Sequence, residues 1–80
     1  MGPDEFDFDD LCIGESYEFV HARHGTFVAT VTGTRWDDDA DEGIINAELV
    51  AGVIKRASGD IAPPCKLMMR WSKIESVATL

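Results

Sequence analysis

Gly43-Ile44-Ile45-Asn46-Ala47-Glu48-Leu49-Val50-Ala51-Gly52-Val53-Ile54-Lys55-Arg56-Ala57 is the stretch on which the fold turns. As a helix it is well signed. Asp37, Asp38 or Asp39 could cap its start, Lys55 and Arg56 fall in its last turn, and Gly59 stands beyond its end. Against this, apolar residues at 44, 45, 47, 49, 50, 51, 53 and 54 cover nearly the whole circumference of a helix, and Gly43 and Gly52 weaken one. As strands, residues 44–47 and 49–55 supply the β-branched content that a small all-β core needs. The β reading is preferred; an α+β domain with a helix over 43–57 is the alternative.

The flanks support β structure. Residues 16–22 carry Tyr17, Phe19 and Val20, and Arg23-His24-Gly25 reads as a turn. Residues 26–32 alternate, with Phe27, Ala29 and Val31 on one face and Thr26, Val28, Thr30 and Thr32 on the other. Gly33 marks a bulge or bend that lets this strand run on through Arg35 and Trp36. Downstream, Asp60 and Pro63-Pro64 form a turn-rich connection. Residues 66–71 are a strand with Leu67, Met69 and Trp71 on one face. Ser72-Lys73-Ile74 is long enough for a single turn only, and 75–80 form a last strand through Val77. The predicted core is Phe19, Phe27, Ala29, Val31, Leu67, Met69, Ile74 and Val77.

The segments Cys65-Lys66-Leu67-Met68-Met69-Arg70, Trp71-Ser72-Lys73-Ile74 and Glu75-Ser76-Val77 resemble the ending of small SH3-like and Sm-like barrels. There a fourth strand passes through one helical turn, with an Ile plugging the barrel, into a short fifth. Gly14-Glu15-Ser16-Tyr17-Glu18-Phe19 and His24-Gly25-Thr26-Phe27-Val28-Ala29-Thr30-Val31 are similar to the opening strand and long bent second strand of those barrels. The resemblance covers residues 13–36 and 65–78. It implies a mainly β, five-stranded SH3-like barrel over 12–80 behind an acidic N-terminal arm at 1–11. The tyrosine-rich motif of peptide-binding SH3 domains and the paired Asp and Asn of RNA-binding Sm proteins have no match, so architecture is implied and function is not.

Charge is concentrated. Asp4, Glu5, Asp7, Asp9 and Asp10, with Asp37, Asp38, Asp39, Asp41 and Glu42, make up ten of the 15 acidic residues. The remaining five acids face seven Lys and Arg, so the formal charge of −8 belongs to a leader and a loop. In the leader, Phe6 and Phe8 alternate with Asp7 and Asp9. That suits a short edge strand or an arm docking its rings, while Pro3 could open a helical turn. Eighty residues make one domain, which buries only about 60–65% of its unfolded surface. Cys12 and Cys65 read as reduced thiols and small core residues. The start lacks a secretory signal pattern and no apolar run has the length of a membrane span, so a cytoplasmic protein away from membranes is expected.

No motif names a reaction. Asp37, Asp39, Asp41 and Glu48 fall at positions one, three, five and twelve of a calcium-loop count, which makes them candidate ligands for a divalent cation. Glu42 occupies the sixth position, where the sharp turn needs glycine, so a solvated acidic turn is the stronger reading. Cys12, His21, His24 and Cys65 could make a tetrahedral zinc site, but only the histidines have ligand spacing; they read rather as surface residues of the hairpin turn. Ser58 or Ser72 with His24 and Asp60 has no elbow or oxyanion motif behind it. Arg23, Arg35, Lys55, Arg56, Lys66, Arg70 and Lys73 around Tyr17, Trp36 and Trp71 offer a single-strand nucleic-acid groove, with the acidic arm as an internal competitor. Ten tethered carboxylates make that partner the weaker expectation.

The expected function is therefore non-enzymatic, without cofactor: association with itself or another protein as an accessory or structural module. The expected interface is Arg35, Trp36, Asp37, Asp38 and Asp39, with an aromatic anchor beside steering acids. The competing reading has Trp36 capping one end of the core.

Overall fold

The computed structural model describes residues 7–54 and 58–80. After a 3-10 turn, η1 (Phe8–Asp10), come β1 (Ser16–His21), β2 (Gly25–Asp37), β3 (Glu42–Gly52), β4 (Cys65–Arg70), a second 3-10 turn η2 (Trp71–Lys73), and β5 (Ile74–Thr79). All five strands belong to one antiparallel sheet in the order β4-β3-β2-β1-β5.

The stretch over 43–57 is strand, not helix, as far as Gly52. β3 pairs with β2 on one side and β4 on the other, so Ile45, Ala47 and Leu49 reach the core by period-two alternation. Ile44 is also buried, on the opposite face, where its register partners are Arg35 and Arg70. Burial on both faces is confined to the Ile44–Ile45 end of the strand; Val50, Ala51 and Val53 are exposed. The end of that stretch, residues 55–57, lies outside the described residues.

The SH3-like or Sm-like barrel is not formed. β4 and β5 lie at opposite ends of the strand order and share no ladder, so the sheet is open. Closure requires the first and last strands to pair with a fixed stagger. Here β4 is paired to β3, β5 to β1, and η2 inserts non-strand backbone between them. The expected bulge is present: the β2–β3 register shifts between Val31 and Gly33, and β2 runs on to Asp37. Phe19, Phe27, Ala29, Val31, Leu67, Met69 and Ile74 are buried, and Val77 packs half-buried against them.

The acidic arm needs a second correction. Leu11 belongs to the core cluster and Phe8 packs against it, so residues 7–11 dock on the sheet. Phe8 lies 5.8 Å from Trp71 and 6.2 Å from Trp36 between ring centroids, edge-on to both. It also lies where a side chain at Gly43 would be: a Cβ there would come within 2.5 Å of the Phe8 ring. Expectations for Pro3, Asp4, Glu5 and Phe6 lie outside the described residues.

Candidate functional site

The β2–β3 turn is built by its own acids. Asp37 Oδ1 accepts the backbone N–H groups of Asp39 at 3.1 Å and Ala40 at 3.3 Å, which turns the chain locally. Asp41 completes the turn with φ 53°. Arg70 Nη1 then donates to Asp37 Oδ2 at 3.2 Å and Glu42 Oε2 at 3.5 Å. Glu42 Oε1 accepts from Ser72 Oγ at 2.7 Å and Ser72 N–H at 3.4 Å. The Arg70 hydrogen bond holds the Asp37 carboxyl below its ordinary range, and the Ser72 hydroxyl does the same for Glu42. Asp38, Asp39 and Asp41 are exposed.

A second constellation lies at the β1–β2 turn, on the other side of η2, where the Lys73 carbonyl accepts Ala22 N–H at 2.8 Å. His21 is 7% exposed, not a surface turn residue. Its Nδ1 accepts the N–H groups of Arg23 at 3.1 Å and His24 at 3.2 Å, which leaves the neutral ring's proton on Nε2. The His24 ring stacks on it at 4.3 Å with an interplanar angle of 19°. His24 Nδ1 is buried without a hydrogen-bond partner. Burial, then the neighbouring His24, Arg23 and Lys73, push the His21 pKa down to about 4.

The sequence-predicted sites separate. Asp37 is taken up by its own turn and by Arg70, while Glu48 lies six residues beyond Glu42 along β3, roughly 20 Å at strand rise. Glu48 stands between Thr30 and Lys66 in register. Among the described residues no three His, Cys, Asp or Glu side chains come together as a metal site. Cys12 and Cys65 are free; Cys12 is exposed rather than a core residue, and Cys65 is half-buried against the core. Ser72 Oγ is engaged with Glu42 and not with a histidine. Trp36 is 52% exposed, with Phe8 beside it. Arg35 is exposed, and its Nη2 donates to Met68 Sδ at 3.7 Å.

Sequence reasoning missed the His21 cluster, though its signal was available: His21 has the same strand parity as the buried Tyr17 and Phe19. Together these features define a small antiparallel β-sheet domain. No helix among the described residues is long and apolar enough to cross a membrane. No family model, curated protein or solved structure matches the chain.

Proposed function

We propose that the protein acts by association, without catalysis, as a small self-assembling or accessory subunit. The observation that carries this reading is the free edge of β4. In the open sheet no described strand pairs with the outer side of β4, so its row of N–H and C=O groups there offers a template for another strand. Met68, 57% exposed, stands on this edge with the Arg35 guanidinium on its sulfur, and the half-exposed Trp36 lies at the end of β2. Arginine, methionine and tryptophan are the side chains enriched at interface cores. Asp38 and Asp39, exposed beside Trp36, steer the approach and disfavour acidic partners.

Sedimentation equilibrium over a wide concentration range tests this. A mass that rises with concentration, and falls back in Trp36→Ala and Met68→Glu at little cost in melting temperature, is expected. A strict monomer at high concentration that retains no partner from a lysate would end the proposal. Trp36→Ala that melts much earlier yet associates normally would reduce Trp36 to a cap.

A further inference from the structure

We infer that the β1–β2 turn is a binding site for a small oxyanion, a free phosphate or a phosphate group carried by a small molecule. Arg23, His24 and Lys73, with Ala22 and the buried His21, line a depression of about 470 Å³. The chain has 15 acids against seven Lys and Arg, yet no carboxylate pairs with Arg23 or Lys73 among the described residues. Every charged or titratable neighbour acting on His21 is a cation or an imidazole. Cations gathered without a counter-charge repel one another, and an anion between them relieves that repulsion.

The backbone that carries these side chains is also held in place. Two backbone N–H groups lock His21 through Nδ1, and the stacked His24 ring is thereby fixed on it. The Lys73 carbonyl ties the other wall to Ala22. Arginine supplies a planar fork, lysine a point charge, and a neutral imidazole an Nε2–H, which is the donor set for a tetrahedral oxyanion. The same cations disfavour a metal ion at the two histidines. The site is separate from the β4 edge and does not depend on the association proposed above.

The test is titration of the full chain with inorganic phosphate at neutral pH, with chloride at matched ionic strength as control. The imidazole resonances of His21 and His24 report occupancy. Saturable shifts with phosphate and none with chloride are expected, together with a phosphate-specific rise in melting temperature. Arg23→Gln with Lys73→Gln should weaken binding about tenfold or more, since two charge-assisted contacts are lost. Lys66→Gln, on β4, should bind like the parent protein and controls each single variant for the loss of one charge. Non-saturating shifts, equal shifts with chloride, or equal loss in Lys66→Gln would overturn the inference. Should the double variant fail to fold, each single variant must still weaken binding more than Lys66→Gln does.

Discussion

The two hairpin turns held by η2 use charge in opposite ways. At the β2–β3 turn the first and last acids of the run are engaged, Asp37 and Glu42 meeting Arg70 and Ser72, while Asp38, Asp39 and Asp41 stay exposed. At the β1–β2 turn a few scattered bases converge around two stacked imidazoles, and among the described residues no carboxylate pairs with them. The two ends of the dense charge run are thus structural here, and the cations without a paired carboxylate among the described residues, Arg23 and Lys73, lie 50 positions apart in sequence. Run length is a local property; compensation is a tertiary one.

The sharpest way to break this contrast is His21→Leu. It keeps an apolar side chain at a buried position but removes the acceptor of two backbone N–H groups, so a loss of roughly 2–4 kcal/mol is expected in urea unfolding. An unchanged midpoint would mean the imidazole does not hold the turn.

Acid titration should separate the two turns by pH window. The folded-state pKa of His21 lies near 4, below its ordinary value of about 6.5. As pH falls the unfolded chain therefore binds that proton first, and stability declines from about pH 6.5 to about 4, then levels off. Solvent screening limits the loss to on the order of 1–2 kcal/mol. Asp37 and Glu42 are also depressed, so their contribution is full above the ordinary carboxylate values and is lost as pH falls through those values towards the lowered folded ones. His21→Leu should remove the first phase alone, and Arg70→Met should diminish the second. A single phase shared by both variants would join what the geometry separates.

Phe8→Ala should cost about 1–2 kcal/mol, less than a fully buried ring, and shift tryptophan emission to the red as Trp36 and Trp71 gain solvent. Unshifted emission would mean that residues 7–11 do not dock. At the small end, Asp38→Asn changes an exposed side chain that makes no contact used by the turn, and melting temperature should not move measurably. A clear rise would show that the acidic run is strained by self-repulsion after all.

Much of the strand plan was readable. Alternation at Phe27, Ala29 and Val31 located β2, and Gly33 correctly suggested the register shift that lets it continue. Residues 44–54 were ambiguous because Ile44 is buried on the face opposite Ile45, Ala47 and Leu49, while Val50 and Val53 are apolar yet exposed, so apolarity alone did not show the alternation. The histidines were misplaced because polar residues in a turn read as surface, although the parity of His21 with Tyr17 and Phe19 pointed inward. The leader was misread for a similar reason. Its charge suggested an arm, while its docking depends on Gly43 lacking a side chain 35 residues away.

Period-two alternation and turn chemistry act over a few neighbouring residues, so the course of β1, β2 and β4 and the facing of most of their side chains follow from the sequence, whereas 43–57 stays open between strand and helix. The open sheet, the meeting of Arg70 with Asp37 and Glu42, the seat of Phe8 over Gly43, and the depression that Arg23 and Lys73 share with two histidines exist only in the folded chain. Each of these joins residues far apart along the chain. Such contacts depend on strand order and register, which no local window encodes.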